Sequence, residues 1–171
     1  VTDLISVIKT MLKSNVSGTS PTVAEFENLI SMKFNRKYGV AVSNGSVALE
    51  LALRSLDLNE GDEVILPSFT IISCLSAVLR CGATPVFCDV DPLTWCMTFD
   101  EMKQKVTMKT KAVLLVHTYG LPAEVLEIEK FCIDNNIFLI EDAAESHGIS
   151  VGERPCGSFG KISTMSFYAN K

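Results

Sequence analysis

Apolar residues along this chain recur in two alternating rhythms. Short, nearly unbroken apolar runs at 63–66, 84–90, 112–117, 137–142 and 162–167 read as strands buried on both faces, with a further short strand at 39–42. Between them lie stretches whose apolar positions repeat at helical spacing. These are 3–14 (Leu4, Ile5, Ile8, Met11 and Leu12, with Thr2 or Asp3 as the cap), 22–34 (Val23, Phe26, Leu29, Ile30 and Phe34), 47–56, 70–80, 100–106 and 123–134. Turn formers separate the elements: Asn15, Ser17, Gly18, Ser20 and Pro21, then Gly61-Asp62, Pro67, Cys81-Gly82, Asp91-Pro92, Tyr119-Gly120-Leu121-Pro122 and Asn135-Asn136. Residues 152–160 form a polar, glycine-containing loop. Strand and helix in alternation, joined by short loops, predict an α/β fold: a three-layer, mostly parallel sheet with helices on both faces. No internal repeat, low-complexity tract or interdomain linker interrupts the 171 residues, so one domain is expected.

In such sheets ligands sit at the carboxyl ends of the strands. The run 137–142 delivers Glu141-Asp142 to that edge, beside the small Ala143 and Ala144. Past the following strand the chain reaches Tyr168-Ala169-Asn170-Lys171. An Asp on one strand end and a Lys beyond the next fit pyridoxal phosphate: the Asp would hold the pyridinium nitrogen protonated, and the Lys would form the Schiff base. An Asp closing a strand also serves as a helix cap or a surface charge, and the pair by itself does not decide. Ser43-Asn44-Gly45-Ser46 has a similar double reading. Gly45 permits close backbone approach, Ser46 offers a hydroxyl, and the free amides of the helix start favour an anion such as phosphate. An ordinary capped helix start has the same composition. His117 ends a strand at the ligand edge and serves either the site or a structural hydrogen bond, whereas His147 reads as loop packing. Trp95 follows a turn and carries no evident function.

Composition narrows the function classes. Hydrophobic residues at 47% and charged residues at 20% belong to a globular chain with a core, and the net charge of −5 argues against nucleic-acid or membrane-surface partners. The apolar stretch 64–79 is broken by Pro67, Ser68, Thr70 and Ser73 and is too short and polar to span a bilayer. Asp3, Lys9 and Lys13 interrupt the apolar residues near the start, so no signal peptide is expected there. The six cysteines form no CxxC pair and cluster with no histidine in the sequence; they read as core or near-surface thiols of a cytoplasmic protein, and no metal is expected. The first residue is Val and the last is Lys171, so both ends read as cut.

Seven stretches then carry a resemblance. They are Phe26-Glu27, SNGSVAL (43–49), GDEVILPSFT (61–70), GATPVFCDVDP (82–92), KTKAVLLVHTYGLP (109–122), IEDAAESHG (140–148) and GSFGKISTMSFYANK (157–171). In this order they resemble the DegT-type nucleotide-sugar aminotransferases, from nearly one end of the chain to the other. The resemblance implies the large domain of the aspartate-aminotransferase fold, the type I fold of pyridoxal-phosphate transferases. Residues 1–171 would be that cofactor-binding domain, truncated at both ends.

The resemblance also implies roles. Lys171 is similar to the Schiff-base lysine, which moves the proton between the substrate Cα and the cofactor. Asp142 is similar to the partner of the pyridine nitrogen. Glu145 occupies the position beside the ring's phenolic oxygen, as in the perosamine-synthase branch. Gly45, Ser46 and Ser166 are similar to the phosphate ligands. Ile71 stands where the family usually stacks an aromatic ring on the cofactor, and Lys161 where it usually has an acid. The glycine usual before the first turn is missing near Asn15. The family's second glycine-rich loop, its partner-subunit phosphate ligand and its small C-terminal domain would follow Lys171. The implied reaction moves an amino group from glutamate to a keto-sugar nucleotide, for amino-sugar or polysaccharide biosynthesis, in a homodimer. Two alternatives remain: a sugar dehydratase relative using the same cofactor, in which a His stands in place of Lys171, and a non-catalytic fragment of the fold.

Overall fold

The computed structural model describes residues 2–13, 17–169 and 171, without the side chains of Thr2 and Asp3. The side-chain cap expected at Thr2 or Asp3 lies outside what is described, as does the turn residue expected at Asn15. The chain divides into two compact units, 1–41 and 42–171.

The first unit holds helices α1 (Thr2–Leu12) and α2 (Pro21–Lys33). Pro21 opens α2 because its fixed φ suits the first helical position and its missing N–H would be unpaired there anyway. The strand expected at 39–42 does not form. The backbone partner there is a helix side chain rather than another strand: the Ala41 N–H donates to Glu27 Oε1 at 2.7 Å. Gly39 lies so close to α2 that an added Cβ would collide with the Glu27 carbonyl. Glu27 of the Phe26-Glu27 pair is therefore the group that shapes this exit.

The second unit follows the alternation read in the sequence. Its elements run α3 (Gly45–Arg54), β1 (Glu63–Pro67), α4 (Ile72–Arg80), β2 (Thr84–Cys88), α5 (Phe99–Gln104), β3 (Thr110–Val116), a 3-10 turn (Thr118–Gly120), α6 (Val125–Asp134), β4 (Phe138–Asp142), β5 (Ser150–Val151), β6 (Arg154–Pro155) and β7 (Ile162–Thr164). Five strands pair in parallel in the order β2-β1-β3-β4-β7. Side-chain alternation explains why these runs are apolar throughout. Val64, Leu66, Ala112, Leu114 and Ile140 point into one core with Leu49, Leu53, Cys74 and Val78 of α3 and α4. Ile65, Val113, Leu115 and Leu139 point the other way, onto Met102 of α5 and Val125 and Ile128 of α6.

The boundaries move where a specific bond ends an element. β7 stops at Thr164 rather than 167, because its neighbour β4 ends at Asp142, which is paired with Thr164, and the Ala143 N–H to Thr164 carbonyl bond closes the ladder. β2 stops at Cys88 rather than 90, and Val90 instead makes an isolated antiparallel bridge to Met97. α4 starts at Ile72 because Ile71 is extended (φ −63, ψ 138) and acts as its N-cap. α6 starts at Val125 because the Ala123 N–H is donated to His117 Nδ1. An antiparallel hairpin that the sequence pattern does not announce, β5 with β6, spans 150–155 and takes in the start of the loop expected at 152–160. Arg154 holds it to α6 through a two-pronged ion pair with Glu129 and lies 4.0 Å over the Phe159 ring. Gly160 (φ +63) then turns the chain where any Cβ would strike the Leu139 carbonyl.

Candidate functional site

The chain leaves β1 for β2 on one side and later returns to β3 on the other, so the crevice at the carboxyl ends of β1 and β3 is the topological switch point. A cleft of about 260 Å³ opens there, and Ile71, His117, Tyr119, Asp142, Glu145 and Lys171 are among the residues lining it. Four of the site residues expected from sequence, Ile71, Asp142, Glu145 and Lys171, thus come together.

Asp142 is buried at the tip of β4. Its Oδ1 accepts the Ala144 N–H at 3.1 Å and lies 3.5 Å from the Thr164 hydroxyl, while Oδ2 faces the Cys74 thiol at 3.5 Å. Burial pushes its carboxyl pKa up, and the Ala144 amide, the thiol, Lys171 and the Thr164 hydroxyl oppose that rise only in part. A buried acid with weak donors on one oxygen retains capacity for a cationic N–H.

Lys171 Nζ lies 2.6 Å from Glu145 Oε1. Glu145 Oε2 accepts the Tyr119 N–H at 2.8 Å, where Tyr119 sits at φ 53. The Lys171 hydrogen bond, ahead of the Tyr119 amide and against burial, holds the Glu145 carboxyl below the usual range. Ile71 is 61% exposed, which leaves its side chain open to a ligand.

Gly45, Ser46 and Ser166 are not among the residues lining this cleft. α3 begins at Gly45, capped by Asn44 Oδ1, which accepts the Val47 N–H at 3.0 Å. An added Cβ at Gly45 would meet open space. Ser46 Oγ is 2.7 Å from Ser73 Oγ on α4, two residues beyond Ile71, so the first turns of two helices meet there. Ser166 Oγ accepts the Tyr168 N–H at 3.3 Å. The Ser166 carbonyl accepts from His147 Nε2 at 2.6 Å, and the imidazole lies 5.0 Å from the Phe167 ring. His147 therefore packs on the segment that leads to Lys171. Lys161, found where the family has an acid, reaches 4.1 Å over the Phe138 ring.

Sequence reasoning missed the role of Glu141. It is fully buried, and its carboxylate accepts from His117 Nε2 at 2.8 Å and from the N–H groups of Gly157 and Phe159. His117 Nδ1 takes the Ala123 amide, which fixes the ring proton on Nε2. Of the two uses open to His117, the ring serves the structural one, although the residue borders the cleft. Cys156 joins this cluster: one potential ligand atom each from His117, Glu141 and Cys156 lies within 4.8 Å of the others, a grouping that linear spacing does not show. Sequence reasoning also missed the aromatic contact at the rim, where Phe69 meets Trp95 at 4.6 Å and Tyr119 at 6.2 Å.

The donor set fits pyridoxal phosphate. One amine and one buried acid border the same cleft, and two serine-bearing helix starts, Ser46 and Ser73, stand beside Ile71. Among the described residues no helix is long and apolar enough to cross a membrane.

The chain is similar to known proteins along most of its length. The chain is 43% identical over 156 residues to the GDP-perosamine synthase of Escherichia coli O157:H7, covering 91% of this chain and 43% of that protein. It superposes on S. venezuelae DesV, solved in complex with a ketimine intermediate, with a TM-score of 0.92 at 32% identity, covering 99% of this chain and 46% of the other. It superposes on NtdA from Bacillus subtilis, solved with bound cofactor PMP, with a TM-score of 0.86 at 30% identity, covering 97% and 37%. The chain thus spans under half the length of these relatives. The profile of the DegT/DnrJ/EryC1/StrS aminotransferase family matches residues 2–171, and the chain belongs to that family.

Proposed function

We propose that this chain is the cofactor-binding part of a pyridoxal-phosphate-dependent aminotransferase that moves an amino group from glutamate to a keto-sugar nucleotide. The observation that carries the reading is the cleft shared by Lys171 and the buried Asp142. Pyridoxal phosphate supplies a carbonyl for the incoming amine and an electron sink for the carbon that loses its proton. Asp142, at the end of β4, would hold the ring nitrogen in its protonated form. Lys171 would anchor the cofactor and shuttle the proton at the substrate Cα, with Glu145 keeping its Nζ over the cleft. Gly45, Ser46 and Ser166 are proposed for the phosphate, with Ile71 covering the ring by dispersion alone.

The sugar nucleotide is supported by the similarity to GDP-perosamine synthase, and glutamate by the resemblance. The family's architecture supports a homodimer of the full-length protein in which residues 1–171 belong to the cofactor-binding large domain. The free thiols support a cytoplasmic setting. Lys171 favours amino transfer over dehydration. In the full-length protein, Lys171→Ala is expected to abolish both borohydride-trappable cofactor attachment and amino transfer to a keto-sugar nucleotide. Cofactor trapped on another lysine would overturn the assignment.

A further inference from the structure

Cys74 sits in the first turn of α4 with no exposed surface, in the core beneath the cleft. Its Sγ lies 3.4 Å from Thr70 Oγ1 and 3.5 Å from Asp142 Oδ2. Asp142, acceptor-only when ionised, leaves the thiol as the donor of the second contact, and the Thr70 hydroxyl can then donate to the sulfur. The result is a buried relay, Thr70 to Cys74 to Asp142. The two Asp142 oxygens are not equivalent: Oδ1 receives a backbone amide and a hydroxyl, whereas the one side-chain partner described for Oδ2 is the thiol. A thiol is a weak donor, so Oδ2 keeps the larger share of its acceptor strength.

We propose that Cys74 is a positioning residue for Asp142: its thiol donates to Oδ2 and fixes that oxygen as the acceptor that meets the protonated pyridine nitrogen. Without this donor the carboxylate rotates more freely and the ionised form loses one of its few partners in a buried site. That shifts the shared proton from the ring toward the acid, which weakens the hold on the cofactor. Burial and the neighbouring carboxylate push the Cys74 thiol up to about 12, so it stays protonated as a donor throughout the working range. The relay lies wholly inside the second unit, and it rests on the proposed role of Asp142.

The test uses the full-length protein and reads cofactor affinity and the thiol itself. Cys74→Ala removes the donor, Cys74→Val removes it while keeping the volume filled, and Cys74→Ser supplies a hydroxyl donor. The pyridoxal phosphate dissociation constant is expected to rise about fivefold in the Ala and Val variants and to stay within about twofold of the parent in the Ser variant. In the cofactor-free protein, the infrared difference between parent and Cys74→Ser should isolate the Cys74 S–H stretch. That band should move to higher frequency in Asp142→Asn, where an NH₂ group replaces the Oδ2 acceptor. Equal losses in the Ser and Val variants would mean that the thiol only packs, and parental affinity in both Ala and Val would equally overturn the inference. If Asp142→Asn itself binds cofactor as tightly as the parent, the role proposed for Asp142 fails instead, and the S–H band still reports whether the thiol bond exists.

Discussion

Lys171 Nζ stands 2.6 Å from Glu145 Oε1, and the other oxygen of the same carboxylate takes the Tyr119 N–H at 2.8 Å. One side chain thus ties the lysine segment to the left-handed turn after β3. Glu145→Gln keeps an amide oxygen for Tyr119 but removes the charge facing Lys171. A partly exposed pair of this kind is worth about 0.2–1 kcal/mol. The Lys171 hydrogen bond holds the Glu145 carboxyl below its usual range. Its contribution is therefore full above the unfolded carboxyl pKa and is lost as pH falls through the lowered folded value. Denaturant titrations of parent and Glu145→Gln should differ by a constant amount near neutrality and converge in acid. A gap that persists in strong acid would show that the bond does not depend on the carboxylate charge.

Asp142→Asn should separate stability from function. Burial raises the Asp142 pKa, so the ionised form is the costly one in the folded state. That cost is absent below the unfolded pKa, grows between the unfolded and folded values, and is full above both. The neutral amide removes it, and the cofactor-free protein should gain on the order of 1 kcal/mol at neutral pH, with the gain fading in acid. The Ala144 N–H holds the amide oxygen at the Oδ1 position, so the NH₂ would face the cleft, where it meets a ring N–H as donor against donor. Amino transfer should fall steeply while the melting temperature holds or rises. Near-normal turnover would identify a different acid.

Ile71→Tyr should tighten the cofactor. Ile71 lines the cleft, is 61% exposed and has extended backbone angles that any L-residue adopts. Stacking adds about 0.5–1.5 kcal/mol beyond the area covered, which is a gain of about two- to tenfold. A cofactor titration with unchanged or weaker affinity would show that Ile71 does not face the ring.

The sheet was legible because its strands bury both faces: Val64, Ile65 and Leu66 point alternately into two different cores, so the run is apolar whichever way it faces. Asp142 was legible because it closes a strand and Lys171 because it follows the next one, whereas Ile71 and Glu145 came only with the family resemblance. What stayed hidden depends on partners distant in sequence. Residues 39–42 look like a strand, but their amide partner is Glu27. Phe167 has strand chemistry, but β4 has already ended at Asp142. Cys74 and Cys156 read as generic core thiols, and only the fold brings one to Asp142 and the other to His117 and Glu141.

Glu141 and Asp142 are adjacent carboxylates, and their amide variants should act with opposite sign. Glu141 has no exposed surface, and three donors converge on it: His117 Nε2, the Gly157 N–H and the Phe159 N–H. These bonds fasten the loop before β7 to β4, an inner strand of the sheet, and β7 leads to Lys171. In Glu141→Gln one acceptor becomes an NH₂ group, so whichever way the amide turns, at least one buried N–H faces another donor. A buried donor left unsatisfied costs about 1–3 kcal/mol, and charge-assisted bonds are lost with it, against which removal of a buried charge returns a part. Destabilisation of about 2 kcal/mol is expected, read as a lower denaturation midpoint with an unchanged slope. Cofactor affinity should fall less than in Asp142→Asn, because the altered side chain anchors the loop rather than meeting the ring. A Glu141→Gln protein as stable as its parent, but unable to bind cofactor, would reverse the roles assigned to the two acids.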